Sequence, residues 1–230
     1  MGGPAIIAVV PAHDEAERIS ATVAAIGSIA AVGATLVVDD GSADATALLA
    51  EEAGATVLRL PRNVGKGSAL EAGIEAAADA DIVLLLDADL GESAAQASLL
   101  LAPILAEEAD MVVATFPRPV GKAGFGLVKG LARWGIARMG GGFEAQAPLS
   151  GQRALNRAAL AAVRPFASGY GVEVASTVRA LRSGLRVVEV ATTMSHAATG
   201  RDLAGFRHRG RQFAHVAQAL LALALEGSRR

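Results

Sequence analysis

The chain has 230 residues, of which 52% are hydrophobic and only 3% aromatic, and its formal net charge is −2. These values predict a large aliphatic core, and they disfavour binding of nucleic acid through a basic surface or through base stacking. No cysteine is present, which excludes disulfides, cysteine-ligated zinc and cysteine nucleophiles.

Strands and helices alternate through the first half of the chain. Strands are predicted at 5–10, 35–38, 55–60, 82–86 and 111–115, and helices at 15–29, 45–53, 68–78 and 92–107. Nearly every strand is apolar throughout, as is typical of strands that are covered on both faces. The pattern predicts an α/β fold, with a mostly parallel sheet flanked by helices on both faces.

Polar residues collect in the loops that follow the predicted strands. These loops are 13–15, 39–42, 63–67 and 87–89. Because the carboxyl ends of parallel strands meet at one edge of a sheet, where open α/β sheets bind their ligands, we expect the four loops to converge on one site.

The fourth predicted strand runs directly into Asp87-Ala88-Asp89. Side chains alternate in an extended chain, so two carboxylates at this spacing point the same way. Two like charges held close together gain by sharing a divalent cation, and carboxylate oxygens suit Mg²⁺ or Mn²⁺. The hypothesis is that Asp87 and Asp89 hold a metal ion and, through it, a diphosphate; the alternative is a solvated turn or a helix cap.

Other nucleotide-binding patterns fit the chain poorly. The segment that begins at Gly65 starts like G-x-G-x-x-G, but Leu70 stands at its last position and it follows the third strand rather than the first. No G-x-x-x-x-G-K-[ST] sequence occurs. A dinucleotide-binding fold and a P-loop enzyme are therefore disfavoured.

After residue 116 the alternation is less regular. Helices are predicted at 127–139, 156–163 and 170–183, a strand at 185–190, and a helical tail at 202–230. The tail combines a basic first half with an Ala/Leu-rich second half, so it could lie on an anionic membrane surface, or pack on the domain or on a second subunit of a homodimer. The N-terminus lacks the features of a signal peptide, and we expect a cytoplasmic protein, either free or peripheral at the inner face of the membrane.

Four segments together resemble glycosyltransferase family 2. In order they read VVPAHDEAERI, VVDDGSADAT, NVGKGSALEAG and LLLDADLG, and they cover about residues 5–91. Weaker similarity in LSGQRAL, GYGVEVA and SHAATGRD extends the resemblance to about residue 202. The dolichyl-phosphate mannosyltransferase-like enzymes and the glucosyl-3-phosphoglycerate synthases are the most similar members.

The resemblance implies one GT-A domain over 1–230 and a nucleotide-diphosphate sugar donor. Residues 1–115 would bind the nucleotide sugar, 116–201 the acceptor, and 202–230 would form the basic amphipathic helix. The expected donor-binding residues are Pro11, Ala12, His13, Glu15, Asp40, Lys66, Asp87 and Arg201. His13 stands where many relatives have Asn.

The resemblance also implies a metal site and an acceptor site. Asp87 and Asp89 match the D-x-D motif, with Asp89 as the direct ligand, and His196 after the last strand would complete the metal shell unless it is a surface histidine. Arg118, Arg133 and Arg153 lie where relatives bind the acceptor, and Arg suits phosphate recognition. A polyprenyl phosphate or another phosphate-bearing acceptor is expected.

Catalytic roles are assigned to Asp89, Arg153 and Glu173. A small hydroxyl acceptor is the alternative to a phosphate-bearing one; it would need a carboxylate base, for which Glu173 and Glu144 are candidates. Glu173 could instead be an ordinary residue on a helix face. Outside this enzyme class, the alternatives are a nucleotidyltransferase that releases pyrophosphate and a non-catalytic, membrane-associated binding protein.

Overall fold

The computed structural model describes residues 3–116, 126–167, 169–195 and 203–227. They form a seven-stranded sheet with the strand order β3-β2-β1-β4-β6-β5-β7. Six strands run in the same direction, and β6 lies antiparallel between β4 and β5. The predicted α/β architecture with a mostly parallel sheet is therefore confirmed.

The strands and helices lie close to their predicted positions. The strands are β1 (Ile6–Ala12), β2 (Ala34–Asp39), β3 (Thr56–Arg59), β4 (Ile82–Leu85), β5 (Met111–Thr115), β6 (Arg153–Asn156) and β7 (Val187–Ala191). The α-helices are α1 (Ile19–Gly27), α2 (Thr46–Glu52), α3 (Lys66–Ala76), α4 (Ser98–Leu105), α5 (Gly126–Met139), α6 (Arg157–Val163), α7 (Val172–Arg182) and α8 (Leu203–Gly227).

The central strands are buried on both faces. In β1, Ala8 and Val10 belong to one core cluster with residues of α1 and α4, whereas Val9 between them belongs to a second cluster with residues of α3 and α6. Residues of β4 alternate between the same two clusters. An uninterrupted apolar run is required when both faces of a strand are covered, which explains why these strands were visible in the sequence.

Two parts of the pattern were not predicted. β6 lies in a short, mixed segment to which no strand was assigned, yet it occupies a central position in the sheet. The helix expected over 92–107 is divided into a 3₁₀ helix, Gly91–Ala97, and α4. The strand pairing of β6 depends on its two neighbours, β4 and β5, and not on local propensity.

A third core cluster lies outside the sheet, where α5, α7 and α8 pack together. Gly135 of α5 allows close contact, because a Cβ atom there would lie 2.3 Å from Cδ2 of Leu220 on α8. None of the helices in the described part of the chain is long and apolar enough to cross a membrane.

Candidate active site

The loops after β1 and β2 are joined by polar contacts at the carboxyl edge of the sheet. The backbone N–H of Asp14 donates to Oγ of Ser42 at 3.0 Å, and the N–H of Ala43 donates to the Asp14 carboxylate at 2.8 Å. The N–H of Glu15 donates to Oγ1 of Thr46 at 2.8 Å. These bonds fix the first two of the four predicted loops against each other.

The loop after β3 is attached to the same edge through Asp40. The buried Asp40 carboxylate accepts the N–H groups of Val64, at 2.7 Å, and Gly65, at 2.8 Å. Gly41 has a φ of 70°, and a Cβ atom there would lie 2.5 Å from the carbonyl carbon of Arg62. Only glycine fits this close approach. Contact of Asp40 with the nucleoside stays a prediction.

Lys66 lies at the centre of the site, at the start of α3. Its Nζ donates to Oδ1 of Asp87 at 2.7 Å and to Oε1 of Glu173 at 3.0 Å. The second carboxylate oxygen of Asp87 accepts Nε2 of Gln152 at 2.9 Å. Burial alone would lower the pKa of Lys66, but the charges of Asp87 and Glu173 together raise that pKa above its usual value.

Gly151 makes room for the ion pair between Lys66 and Asp87. A Cβ atom at this position would lie 2.7 Å from Nζ of Lys66 and 3.0 Å from each carboxylate oxygen of Asp87. Any larger residue would have to displace one of the two charged groups. Glycine is therefore required at position 151, two residues before β6, by an ion pair between two other parts of the chain.

Asp89 lies in a turn that is held by the buried hydroxyl of Thr22. β4 ends at Leu85, and Ala88 and Asp89 form a turn, so the chain after the strand is not extended through Asp89 as the sequence analysis assumed. The Thr22 hydroxyl donates to the carbonyl of Ala88 at 2.8 Å and accepts the N–H of Gly91 at 2.8 Å. One side chain on α1 thus holds both sides of the turn.

The half-buried carboxylate of Glu15 lies near both acidic residues of this turn. Burial raises the pKa of Glu15, and the negative charges of Asp89 and Asp87 raise that pKa further. The carboxylates of Glu15, Asp87 and Asp89 therefore lie close enough for their charges to interact. Arg18 partly offsets this effect on the pKa of Glu15.

The segment after β7 is fastened beside the same turn. The N–H of Ser195 donates to Oγ of Ser93 at 3.2 Å, and Oγ of Ser93 lies 3.3 Å from the carbonyl oxygen of Ser195. Ser93 belongs to the 3₁₀ helix that follows Asp89. Ser195 therefore lies beside the 3₁₀ helix that follows the acidic turn.

The family model described as glycosyl transferase family 2 matches residues 7–159, which include all four loops and the glycine before β6. The chain belongs to glycosyltransferase family 2. The family resemblance inferred from the four sequence segments is therefore confirmed.

Two curated relatives are similar to this chain over most of its length. Glycosyltransferase AglJ of Haloferax volcanii is 30% identical over 207 residues, which cover 86% of this chain and 65% of AglJ. Glucosyl-3-phosphoglycerate synthase of Mycolicibacterium paratuberculosis is 34% identical over 195 residues, which cover 75% of this chain and 58% of that enzyme. The chain thus spans less than two thirds of the length of either relative.

A solved family structure has the same fold. The crystal structure of glucosyl-3-phosphoglycerate synthase from Mycobacterium tuberculosis, in complex with Mn²⁺, uridine diphosphate and phosphoglyceric acid, superposes with a TM-score of 0.81 at 27% identity. The match covers 96% of this chain and 78% of that one. The predicted GT-A fold is confirmed.

Several residues that the family resemblance implied are brought together at the sheet edge. Pro11 and Ala12 are the last two residues of β1, not part of the following loop, and His13 is exposed beyond them. Glu15 and Lys66 also lie at this edge. Their contacts with a donor stay predictions.

Arg153 does not lie where an acceptor could reach it. The side chain is buried; Nε donates to the carbonyl of Ser150 at 2.9 Å, and the two terminal nitrogens donate to Oγ1 of Thr177 at 3.1 Å and to the carbonyl of Glu173 at 2.9 Å. Burial lowers the pKa of Arg153 to about 10. The acceptor-binding and catalytic roles assigned to Arg153 are therefore wrong, because its guanidinium joins β6 to α7 inside the core.

Arg133 and Glu173 are two further predicted acceptor-side residues that the structure describes. Arg133 is exposed on α5, and its Nε donates to the carbonyl of Ala145 at 3.0 Å. Glu173 is buried against Lys66, so it is not an ordinary solvated residue of a helix face. Arg118, His196 and Arg201 lie outside the described residues.

Sequence reasoning assigned no role to Thr22, Gly151 or Gln152. The only signal for the last two was the segment LSGQRAL, which has weak family similarity. Thr22 gave no signal, because a threonine inside a predicted helix is commonplace and its bonds to Ala88 and Gly91 join residues that are distant in the sequence.

Proposed function

We propose that this chain transfers a sugar from a nucleotide-diphosphate sugar to a phosphate-bearing acceptor, with Mg²⁺ or Mn²⁺ as the cofactor. The observation that carries the proposal is the ion pair between Lys66 and Asp87, which forms where the four loops converge. The carboxylates of Glu15 and Asp89 lie near that of Asp87. Residues 1–115 would bind the donor and residues 116–201 the acceptor.

The acidic turn has the chemistry that a hard divalent cation requires. Asp89 and Asp87 supply carboxylate oxygens; after burial, their negative charges are the next causes that raise the pKa of Glu15, and a cation would neutralise those charges. Within the described residues, no cluster of three or more His, Asp or Glu side chains could hold a metal ion by itself. Mg²⁺ commonly binds through one or two carboxylates and substrate phosphates, which fits this set of ligands.

Asp89 is the proposed direct ligand, as the resemblance to the D-x-D motif implies, and Asp87 accepts bonds from Lys66 and Gln152. His196 is the proposed third ligand, since Ser195 before it is fastened to the 3₁₀ helix that follows Asp89. When bound, the ion would act as a Lewis acid for the departing nucleoside diphosphate.

The chain's own residues would bind and orient the donor. Lys66 keeps its proton because Asp87 and Glu173 stabilise the ammonium, so it presents a fixed positive charge for a donor phosphate. Gly65, at the start of α3, would let the backbone approach the nucleotide. Asp40 holds this part of the loop in place.

Glu173 is the proposed acidic residue on the acceptor side. It lies in the first turn of α7 and reaches Lys66, so it connects the acceptor half to the donor half. A phosphate acceptor is already anionic and needs little help from a base, whereas a hydroxyl acceptor would require one. Arg133 and Arg118 are the proposed contacts for an acceptor phosphate.

Thermal unfolding with a panel of nucleotides tests the donor and metal site. UDP, GDP and dTDP and their sugars are compared with and without Mn²⁺, and at least one is expected to raise the melting temperature only when the metal is present. Asp89→Asn should abolish this metal-dependent shift. The matched control is Glu52→Gln, at an exposed position in α2, which should keep the shift.

Two results would count against the proposal. One is an unchanged melting temperature with every donor when Mn²⁺ is present; the other is an Asp89→Asn protein that responds like the wild type. Analysis of the reaction products separates the alternatives, because a sugar transferase releases nucleoside diphosphate and a nucleotidyltransferase releases pyrophosphate. No product with any acceptor, despite normal donor binding, would favour a non-catalytic binding protein.

The acceptor is tested with three compounds of different chemistry. Polyprenyl phosphate and 3-phosphoglycerate both present a phosphate, and a neutral sugar alcohol presents only hydroxyl groups. The crystallised relative contains phosphoglyceric acid, which supports a phosphate-bearing acceptor. Transfer to the neutral compound alone would exclude the phosphate proposal.

A further inference from the structure

The turn that leads into α7 is a short 3₁₀ helix, Gly169–Gly171. Gly171 is the N-cap of α7 and is buried. Glu173, which contacts Lys66, follows two positions later in the first turn of α7. The conformation of the Gly169–Gly171 turn therefore sets where the Glu173 carboxylate lies relative to Lys66.

Helix α8 packs directly against this turn. A Cβ atom at Gly171 would lie 2.6 Å from Cβ of Ala219 and 2.9 Å from the carbonyl oxygen of His215. A Cβ atom at Gly169, whose φ is 59°, would collide with Nδ1 of His215. His215 and Ala219 are four positions apart, so they lie on the same side of α8. A side chain at Gly171 would therefore push α8 away from the turn.

An apolar core holds α8 in this position. Val216 and Leu220 of α8 are buried in one cluster with Val174 and Val178 of α7. Withdrawal of α8 would expose these side chains to water, which is unfavourable. The location of α8 over the turn is therefore set by packing along α7 and does not depend on the turn alone.

The segment before the turn is held by a different helix, α3. The Glu71 carboxylate accepts Nε of Arg164 at 2.6 Å and the N–H of Phe166 at 3.1 Å. Glu71 lies five positions after Lys66 on the same helix. Helix α3 therefore supplies both Lys66 and the anchor of the segment that leads to Glu173.

The contact between Glu173 and Lys66 is sensitive to small movements of this turn. The carbonyl of Glu173 accepts Nη2 of the buried Arg153 at 2.9 Å, and its side chain reaches Nζ of Lys66 through Oε1 at 3.0 Å. A hydrogen bond weakens steeply as its length and angle depart from the preferred geometry, so a shift of about 1 Å at the start of α7 would break this contact. The contact therefore depends on how closely α8 fits the two glycines.

We propose that His215 and Ala219 of α8 are positioning residues that hold Glu173 against Lys66 through the Gly169–Gly171 turn. The inference rests on the proposed function, in which Glu173 is the acidic residue on the acceptor side. The sequence left open whether the tail lies on a membrane or packs on the domain. The described part of α8 packs on the domain at the turn before Glu173, and the inference makes this packing a requirement for catalysis.

Nuclear magnetic resonance of the Lys66 ammonium group tests the proposal without measuring activity. The chain has only three lysines, Lys66, Lys122 and Lys129, so labelling with ¹⁵N-lysine gives few signals. Lys66 donates to two carboxylates, which slows the exchange of its protons with water, so we expect its signal to be visible at neutral pH. Lys66→Arg identifies the signal, and Glu173→Gln should shift it because one negative charge is lost.

Gly171→Ala is the main test substitution. It places a methyl group against Ala219 and the carbonyl of His215, so the Lys66 signal should shift as it does in Glu173→Gln. Ala219→Gly removes the Cβ atom that the new methyl group would meet, so in the double variant the signal should move part of the way back to its wild-type position. His215→Ala removes the ring that packs on the turn and should give a smaller shift in the same direction.

Two further substitutions in α8 are the controls. Leu223→Ala opens a cavity beside the carboxyl end of α7, where the carbonyl of Leu223 accepts Nη1 of Arg182 at 2.7 Å. It should lower the melting temperature and leave the Lys66 signal in place. Gly210→Ala adds a methyl group that meets nothing within 4 Å beyond the adjacent backbone of its own helix, so its Lys66 signal should match the wild type.

Kinetics of the proposed sugar transfer give a second readout. In Gly171→Ala, kcat should fall roughly 10- to 100-fold, because a displacement of about 1 Å at a reacting centre has an effect of this size. The Kd of the donor in the presence of Mn²⁺ should stay close to that of the wild type, since Asp87 still holds Lys66. Adding Ala219→Gly should restore part of kcat, and Leu223→Ala should keep the wild-type value.

Two outcomes would overturn the inference. One is an unchanged Lys66 signal in Gly171→Ala or, if that variant does not fold, in His215→Ala. The other is an equal shift in Leu223→Ala, because the effect would then follow general loss of stability. Absence of transfer with every donor and acceptor would contradict the proposed function instead, since the Lys66 signal reports on the Glu173 contact directly.

Discussion

Lys66 and Asp87 form an ion pair of 2.7 Å that joins the start of α3 to the acidic turn after β4. The same ammonium contacts the buried Glu173 at 3.0 Å, so one cation holds two carboxylates from opposite halves of the chain. A residue expected only to approach the nucleotide therefore also organises the site.

Replacing Lys66 with Met would leave two carboxylates close together without their cation. We expect the free energy of unfolding to fall by about 2–4 kcal/mol, measured by urea denaturation, because breaking a largely buried pair leaves uncompensated charge. Adding Glu173→Gln should recover part of this loss. Lys129→Met, on the exposed surface of α5, is the control and should change little. Equal stability of the wild type and Lys66→Met would contradict the assigned role.

Replacing Thr22 with Val keeps the shape of the side chain and removes its hydroxyl. The carbonyl of Ala88 and the N–H of Gly91 would lose this partner, which should cost about 1–3 kcal/mol of stability. Because the turn carries Asp89, Mn²⁺-dependent donor binding should weaken as well, as measured by calorimetry. Thr22→Ser keeps the hydroxyl and should preserve donor binding; a similar loss in both variants would argue against the hydrogen bonds.

Replacing Gly151 with Ala would place a methyl group 2.7 Å from Nζ of Lys66. We expect the ion pair with Asp87 to be displaced and the affinity for the donor and metal to fall. Gly130→Ala in α5 is the matched control, because a Cβ atom there meets nothing within 4 Å beyond the adjacent backbone of its own helix. Alanine is favoured in a helix, so the control should be more stable by about 0.5–1 kcal/mol. Unchanged donor affinity in Gly151→Ala would refute the prediction.

Glu15 should make stability depend on pH. Its pKa is raised above the usual 4.5 by burial and by Asp89 and Asp87, so the folded chain holds the proton more tightly than the unfolded chain. This contribution favours folding at low pH and is lost as pH rises from about 4.5 through the raised pKa. Glu15→Gln lacks it, so its stability relative to the wild type should increase over that range.

Urea denaturation at a series of pH values measures this effect. Glu52→Gln, at an exposed position, should follow the wild type at every pH. If the Glu15→Gln curve also stays parallel to the wild type, burial and the negative charges of Asp89 and Asp87 do not raise the pKa of Glu15 as the structure indicates.

Several features of the site could be read from local sequence. Strands covered on both faces must be apolar throughout, so β1, β2 and β4 were recognisable, and their polar carboxyl ends followed from the parallel arrangement. The positions of Glu15, Lys66 and the acidic pair at one edge needed no other information. Family similarity added their proposed roles.

The burial of Arg153 could not be read in this way. The short polar segment around Arg153 resembles an exposed loop in its amino-acid composition. Arg153 is buried only because β6 pairs with both β4 and β5 and so lies inside the sheet. There, carbonyl and hydroxyl groups from α7 and from the residues before β6 satisfy its donors, which makes burial tolerable.

The sequence by itself determined the α/β fold, the edge of the sheet that carries the site, and the acidic and basic residues on it. Those properties depend on the periodicity of apolar side chains and on which residues directly follow each strand. Tertiary structure alone decided that Glu173 meets Lys66 across 107 residues of chain, that Gly151 leaves space for the pair, and that α5 packs against α8. Such contacts are set by which elements pack together, and no local pattern encodes that choice.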